Sequence, residues 1–126
     1  NTVEGVLAQR LVRVLCEECK EAYRPDVDEL PDDFPLEARQ DPNLKLHRPA
    51  GCESCRRTGY RGRMGIYELL VTNEEVRQLA AQGASSDLIK KAAMQSGMES
   101  LRMDGWNRVL AGVTSLDEVL RVTKAD

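Results

Sequence analysis

The sequence predicts an α+β chain, mostly helical, in which a small cysteine-rich unit and a short strand precede a C-terminal four-helix bundle. Three observations support this fold class: two Cys-x-x-Cys pairs, one short alternating apolar run, and four amphipathic segments near the C-terminal end. Aromatic residues make up only 4% of the 126 residues, so aliphatic side chains must form most of the core. A chain of this length forms one domain or two small subdomains.

Residues 1–15 are predicted to form an amphipathic helix. Val3, Leu7 and Leu11 recur every four residues, which places them on one face of a helix that leads directly into Cys16. The chain starts without methionine inside this element. We therefore expect it to be the C-terminal piece of a longer protein, with residues 1–15 as the tail end of the preceding domain.

The segment that follows, residues 17–41, is strongly acidic. It holds ten acidic residues against three basic ones, and it also contains three prolines. Charge and proline at this density are typical of a solvated loop and not of a core element. We expect this segment to loop out into solvent.

All four cysteines fall into two pairs, Cys16 with Cys19 and Cys52 with Cys55. Two thiolates three residues apart at a tight turn can bind one ion, and two such turns supply the four ligands of a closed zinc site. We predict a structural zinc site in a tetracysteine subdomain, residues 16–58, because a closed site leaves no coordination position for water. Two disulfides, or a redox or incidental role of the thiols, remain alternatives.

Further residues near the cysteines bear on this site. Zinc held by four thiolates carries two net negative charges, and four nearby cations are placed to offset them. These cations are Arg13, Lys20, Arg56 and Arg57. His47 is the only histidine, and with four sulfurs available we predict that it is a surface residue and not a ligand.

Residues 59–73 are predicted to form a loop rich in arginine and glycine, followed by one short strand, Ile66–Val71. Glycine permits a close approach to the backbone, and arginine presents forked donors to phosphate oxygens. Arg63 is the stronger candidate, and Arg61 the weaker, for contact with a nucleotide held across a subunit interface. The alternative is a turn-rich link whose arginines form surface ion pairs.

Residues 74–126 are predicted to form four short helices in one compact bundle, the C-terminal helical subdomain. The predicted N-terminal caps are, in chain order, Thr72 with Glu75, Ser85 or Ser86, Ser100, and Thr114 with Asp117. The predicted stops after the first three helices are Gly83, Gly97 and Gly112.

Composition and motifs exclude several functions for the chain by itself. Its formal net charge of -3 argues against nucleic-acid binding. Its apolar runs are far shorter than the roughly 20 residues that span a bilayer, and no signal-peptide pattern opens the chain. None of the nine glycines precedes lysine, so a Gly-x4-Gly-Lys-Ser/Thr phosphate loop is absent. We therefore predict no catalytic residue in this chain.

Three stretches in the same order resemble one family. Residues 7–19 have the pattern LAQRLVRVLCxxC, residues 51–70 have GCxxCxxTGYRGRxGIYELL, and residues 97–123 have GMxSLRxDGxxxVLxGVTSLDEVLRVT. Together they resemble the C-terminal part of the type II secretion and type IV pilus assembly ATPases, over essentially the whole chain. The pair Asp104-Gly105 and the Leu-Val-Arg run at 11–13 favour the type II secretion branch, with the type IV pilus branch as the alternative.

The resemblance implies a hexameric cytoplasmic motor that hydrolyses ATP to drive pseudopilus assembly and protein export. It implies zinc on the four cysteines, and it places Arg63 close to the neighbouring subunit's nucleotide. ATP and magnesium belong to the full-length parent, whose Walker motifs are absent here, so this chain is expected to act as a structural and assembly module. The implied partners are neighbouring subunits and cytoplasmic parts of inner-membrane platform proteins, with only indirect membrane association.

Two other classes of function compete with this interpretation. The first is a nucleic-acid-binding zinc ribbon, with Tyr60 as a stacking surface among Arg56, Arg57, Arg61 and Arg63. The acidic segment opposes it, because it repels a phosphate backbone. The second is a disulfide-bonded extracytoplasmic domain. The cysteine spacing argues against it, because the two cysteines of a Cys-x-x-Cys pair do not readily form a disulfide with each other.

Overall fold

The computed structural model describes residues 2–95 and 99–124, and in this part the chain is α+β with five helices and two small sheets. In chain order the elements are β1 (Thr2–Leu15), β2 (Glu21–Tyr23), a 3₁₀ turn (Val27–Glu29), α1 (Leu36–Arg39), β3 (Leu46–Arg48), a second 3₁₀ turn (Glu53–Cys55), β4 (Tyr60–Thr72), α2 (Glu74–Ala81), α3 (Ser86–Gln95), α4 (Leu101–Leu110) and α5 (Leu116–Val122). The predicted fold class is confirmed as α+β. The term "mostly helical" understates the sheet, since β1 and β4 have 14 and 13 residues and the longest helices have 10.

The predicted helix over residues 1–15 is wrong, because this segment is the strand β1. It pairs antiparallel with β4, from Thr2 opposite Thr72 to Leu15 opposite Tyr60. Leu7 and Leu11, which suggested a helical stripe, are exposed, whereas Val12 is fully buried. The pairing partners lie 45 to 70 residues further along the chain, and such long-range pairing overrides a local spacing pattern.

The predicted arginine and glycine loop is also part of a strand, since β4 starts at Tyr60 and not at Ile66. β1 pairs with this stretch, but the register shifts between Arg13 and Leu15, where Gly62 of β4 has a left-handed φ of 80°. Ile66 is fully buried at the centre of β4. The register places Arg13 of β1 directly opposite Arg63 of β4.

The acidic segment loops out only in part. Most of its charged side chains are exposed, but Leu30 and Phe34 are buried and belong to the main apolar cluster. The ring of Phe34 lies 5.5 Å from that of Trp106 on α4. The carboxylate of Asp33 accepts hydrogen bonds from Arg102 (2.7 Å) and from Trp106 Nε1 (3.1 Å). Two apolar side chains therefore fix this segment to the core, and the prediction of a fully solvated loop is corrected.

All four predicted C-terminal helices are present, with some shifts in their caps. Asn73, and not Thr72, caps α2 by accepting from the N–H of Val76. Ser115, and not Thr114, caps α5. Thr114 Oγ1 instead donates to the carbonyl oxygen of Arg13 at 2.7 Å, which ties the start of α5 to β1.

Other predicted caps and stops are confirmed. Ser85 accepts from the N–H of Leu88 before α3, and Ser100 caps α4. Gly83 and Gly112 follow their helices with φ of 71° and 78°, the left-handed conformation of a helix stop. Gly97 lies outside the described residues.

The four helices do not surround one shared core, which corrects the predicted bundle. α2 and α3 contribute to a small apolar cluster of Val76, Ala92 and Ala93. α4 and α5 pack on the β1–β4 pair in a larger cluster that includes Trp106 and Val119. The long strand pair thus gives α4 and α5 their apolar surface, whereas the described residues of the small cluster come from α2 and α3 alone.

A buried carboxylate on β4 holds two helices against the strand. Glu68 is only 4% exposed. Its Oε1 pairs with Lys90 Nζ of α3 at 2.9 Å, and its Oε2 accepts from the N–H of Leu101 at the start of α4. A buried carboxylate with both oxygens satisfied in this way specifies where the two helices meet the strand.

Within residues 2–95 and 99–124, no helix combines the length and apolar character needed to cross a lipid bilayer.

Candidate metal centre and arginine pocket

The four cysteine sulfurs lie together, as the sequence predicted. Cys16 Sγ lies 3.8 Å from Cys52 Sγ, Cys19 Sγ lies 3.8 Å from Cys55 Sγ, and Cys52 Sγ lies 3.7 Å from Cys55 Sγ. All four ligand atoms lie within 4.8 Å of one another. A tetrahedral ion with metal–sulfur bonds of about 2.3 Å sets its sulfurs about 3.8 Å apart. The four cysteines can therefore hold one metal ion.

The local fold around each pair explains this convergence. Cys16 follows the end of β1, and its carbonyl oxygen accepts from the N–H of Lys20 at 3.0 Å, which turns the chain back at Cys19. Cys52 is the N-cap of the second 3₁₀ turn, and Cys55 is its last residue. β1 and β4 are paired at this end, so the strands bring the two turns together although 32 residues separate them in sequence.

Two glycines beside the cysteines are required by the turn geometry. Gly51 and Gly59 have φ of 106° and 85°, a conformation that L side chains rarely adopt. At Gly59 a Cβ would also collide with the ring of Pro49. Their backbone N–H groups both point at sulfur: Gly51 donates to Cys19 Sγ at 3.3 Å and Gly59 to Cys55 Sγ at 3.2 Å.

Backbone N–H groups favour the metal-binding form of the Cys55 thiol. Burial by itself raises the pKa of Cys55, but the N–H groups of Cys52 and Gly59 donate to its sulfur and lower that pKa to about 6. A thiolate, and not a thiol, is the ligand of a metal ion. Backbone donors therefore favour the thiolate at Cys55, whereas at Cys52 a backbone hydrogen bond is outweighed by burial and by hydrogen bonds among the sulfurs, which raise its pKa to about 11.

Two of the cations predicted to offset the thiolates are engaged elsewhere. Lys20 Nζ donates to the carbonyl oxygen of Gly112 at 3.0 Å and pairs with Glu17, so it holds the cysteine unit against the end of α4. Arg13 pairs with Glu118. Arg56 and Arg57 directly follow Cys55 and are exposed.

His47 lies outside the cysteine group. It is half-buried on β3, and a Cβ on Gly112 would lie 3.2 Å from its Nδ1. The four sulfurs need no further ligand, and His47 is half-buried rather than the surface residue predicted.

Next to the cysteine unit lies a surface pocket of about 320 Å³. Its lining residues are Arg13, Thr58, Tyr60, Gly62 and Arg63. The pocket therefore includes Arg63, the stronger of the two predicted phosphate-contacting arginines, but not Arg61. It also includes Arg13, which the sequence placed only near the metal.

Glu118 of α5 fixes the position of Arg13. Its side chain is 1% exposed and accepts from the backbone N–H of Arg13 at 2.8 Å and from Arg13 Nη2 at 3.0 Å. Arg121 completes the group, with its Nη2 2.7 Å from Glu118 Oε2. The Arg13 guanidinium carbon also lies 4.2 Å above the centre of the Tyr60 ring. The phenol oxygen of Tyr60 is in turn 2.7 Å from Ser115 Oγ.

The environment of Glu118 keeps it ionised. Burial by itself raises its pKa, but hydrogen bonds from Arg121 and Arg13 outweigh this effect and lower the pKa to about 2. The same hydrogen bond raises the pKa of Arg13 above its ordinary value. At neutral pH the group therefore contains one buried negative charge shared by two arginines.

Sequence reasoning missed Glu118, although a signal was present. Ser115 and Glu118 have the spacing of a capping box. We placed the cap one residue earlier, at Thr114. Even the correct cap does not predict that the glutamate side chain also binds an arginine on β1.

The antiparallel strands of this chain bring together a four-cysteine cluster and an arginine pocket, and helices follow them. A family model described as type II/IV secretion system protein matches residues 1–121. Among curated relatives, type II secretion system protein E of Pseudomonas aeruginosa is 48% identical over 126 residues, which is 24% of that relative. Type II secretion system protein E of Aeromonas hydrophila is 46% identical over 126 residues, which is also 24% of that relative. Type IV pilus assembly ATPase PilB of Thermus thermophilus is 44% identical over 119 residues, or 94% of this chain and 13% of the relative.

The chain belongs to the type II/IV secretion system protein family. The predicted family resemblance is thereby confirmed. The chain spans about a quarter, or less, of the length of these curated relatives.

Proposed function

We propose that this chain is the zinc-binding and helical part of a secretion ATPase of the type II branch. The observation that carries the proposal is the group of four sulfurs within 4.8 Å of one another, with three pairs at 3.7–3.8 Å, in a chain of this family. Zinc is the ion of choice because four thiolates in a closed, nearly tetrahedral arrangement suit it better than they suit a hard cation.

The proposed zinc has a structural role. Cys16 and Cys19 follow β1, while Cys52 and Cys55 precede β4, so one ion links the ends of two paired strands. Structural zinc sites contribute folding free energy directly, because the unfolded chain has no preformed site. The ion would thereby stabilise the long excursion between the two turns.

The strand pairing supports the proposed domain organisation. Leu15 and Tyr60 are register partners, so the tetracysteine subdomain, residues 16–58, leaves and rejoins the sheet at neighbouring points. We assign residues 1–15 and 59–73 to the ATPase domain, and residues 74–126 to the C-terminal helical subdomain. A segment inserted between adjacent strand ends can vary in length without disturbing the sheet.

The parent motor is proposed to be a hexamer that uses ATP and magnesium to drive pseudopilus assembly and export. It would act in the cytoplasm at the bacterial inner membrane, with platform proteins as partners. Arg63 is proposed to contact the nucleotide of a neighbouring subunit, with Arg61 as a weaker candidate. In support, Arg63 is exposed and lines the pocket, and it makes no ion pair in the described part of the chain.

A type IV pilus assembly motor is the second candidate. It is favoured by the 44% identity to PilB of Thermus thermophilus, which lies within the 40–48% range of the type II relatives. Both candidates share the zinc site and the arginine pocket, and they differ in the pilin-like subunit that the motor serves.

ATP hydrolysis by the full-length hexameric protein tests the role of Arg63. Arg63→Ala is expected to lower kcat at least tenfold, because an arginine that meets transferring phosphate stabilises charge in the transition state. Arg77→Ala is the matched control, since Arg77 is exposed on α2, away from the pocket. Unchanged hydrolysis and unchanged assembly of the Arg63→Ala protein would remove Arg63 from the proposed site.

A further inference from the structure

The arginine pocket holds more positive charge than the described residues neutralise. Arg13 and Arg63 face each other across β1 and β4, and like charges directly opposite each other destabilise a strand pair. Glu118 supplies one negative charge, but it is shared by Arg13 and Arg121. Two arginines thus share this carboxylate, while Arg63, the other arginine that lines the pocket, has no ion-pair partner among the described residues.

One edge of the Arg13 guanidinium remains available to a ligand. Its hydrogen bonds to Glu118 use Nε and Nη2, and Nη1 has no hydrogen-bond partner in the described part of the chain. The side chain is 45% exposed, although Tyr60 covers one of its faces. A guanidinium held in this way presents a fixed donor edge toward the pocket.

The remaining walls of the pocket suit a small polar ligand. Gly62 has φ of 80°, and nothing lies within 4 Å of the position that its Cβ would occupy, so a ligand can approach the backbone there. Thr58 Oγ1 is committed to the carbonyl oxygens of Cys55 and Tyr60. A volume of about 320 Å³ exceeds by far the roughly 30 Å³ of one water molecule, and so it admits a phosphate group.

We propose that this pocket binds a phosphate-type oxyanion between Arg13 and Arg63, with the buried carboxylate of Glu118 as the positioning group for Arg13. Arginine pairs recognise such anions because each guanidinium donates to two oxygens at once. Glu118 belongs to α5, so binding at the pocket also depends on the seating of α5 against β1. The inference rests on the proposed function in assigning the natural source, which is either the terminal phosphate of a nucleotide or free inorganic phosphate released by hydrolysis.

The test is a titration of the zinc-loaded chain with inorganic phosphate and, separately, with magnesium ATP. Arginine Nε–H resonances report which side chains respond, and calorimetry gives the Kd. We expect the Arg13 and Arg63 signals to shift with a millimolar Kd. Each of Arg13→Gln and Arg63→Ala should weaken binding about tenfold, because a hydrogen bond to a charged group is lost. Arg77→Ala should leave the Kd unchanged. Much tighter binding of ATP than of phosphate identifies the nucleotide as the source, and equal binding identifies free phosphate.

Glu118→Gln separates positioning from simple charge. It removes a negative charge next to the pocket, so electrostatics alone predict tighter phosphate binding, whereas loss of positioning predicts binding about fivefold to tenfold weaker. Arg13→Lys keeps the positive charge but lacks the two-pronged guanidinium donors, so it should also weaken phosphate binding. This variant keeps the positioning role testable if the Glu118→Gln protein does not fold. Tighter binding to the Glu118→Gln protein would refute the positioning role.

The failure of this inference is distinguishable from the failure of the proposed function. A Kd that responds to Arg63→Ala but not to Arg13→Gln overturns the two-arginine site and leaves Arg63 in its proposed role. Absence of binding to either ligand at tens of millimolar overturns the pocket as an anion site, while zinc content and hydrolysis by the full-length protein still test the rest.

Discussion

Replacing Glu118 by glutamine should destabilise the chain strongly although the side chain keeps its size. The carboxylate accepts from five N–H groups of Arg13 and Arg121. These bonds outweigh the burial that opposes them and lower its pKa from the usual 4.5 to about 2. At about 1.4 kcal/mol per pKa unit, this shift corresponds to roughly 3 kcal/mol of stability. The two arginines are 45% and 58% exposed, so solvent screening reduces the expected loss to about 2 kcal/mol.

Urea unfolding of the zinc-loaded chain at pH 7 measures this loss, which should also lower Tm by roughly 7 °C for a chain of this size. The pH dependence has a definite sign. A carboxyl whose folded pKa is depressed stabilises the fold fully above its unfolded pKa, so the difference between wild type and Glu118→Gln should be constant above about pH 5 and shrink toward pH 2. Comparing the two proteins cancels acid loss of metal, which affects both. A difference below about 0.5 kcal/mol at pH 7 would refute the reasoning.

Two further substitutions test the turn at the cysteines and the link between the acidic segment and α4. Gly59→Ala should greatly weaken zinc binding and lower Tm, because its Cβ would collide with Pro49, whereas Gly83→Ala, at a similar φ but in open space, should cost only about 1 kcal/mol. Equal effects of the two alanines in thermal unfolding would contradict the collision argument. Asp33→Ala should cost about 1–2 kcal/mol and shift Trp106 fluorescence, since Asp33 accepts from Arg102 and Trp106, while the neighbouring exposed Asp32→Ala should be neutral. Identical emission spectra of the two aspartate variants would argue against this link.

Local signals in the sequence predicted the features that depend on nearby residues. The Cys-x-x-Cys spacing predicted the sulfur group, which the structure brings together. The starts of the four C-terminal helices were predicted to within about one residue, because a cap bonds to N–H groups only a few positions away. Gly83 and Gly112 have the left-handed conformation expected of helix stops.

Features that depend on distant partners were beyond the reach of such patterns. β1 appeared helical because Val3, Leu7 and Leu11 share a spacing of four, and nothing in residues 1–15 reveals that β4 lies beside them. For the same reason the sequence placed Arg13 near the metal but not opposite Arg63. A strand partner, like the arginine that Glu118 binds, is chosen by the tertiary fold.

The burial of the acidic segment shows a third limit. Its average composition predicted solvent exposure, and for most of its charged residues that is the outcome. Leu30 and Phe34 are nevertheless buried against the main cluster. Two apolar side chains are enough to fix a short segment, and an average over many residues conceals them.

Zinc content is the decisive measurement for a metal site at the four cysteines. The chain, purified in reductant, should contain one zinc per molecule by elemental analysis, and a strong chelator should lower its Tm markedly, because the ion links the ends of β1 and β4. Cys19→Ser should lose the metal, whereas Ser54→Ala, in the turn between Cys52 and Cys55, should keep it. A reduced chain that contains no zinc and whose unfolding does not respond to the chelator would contradict the account.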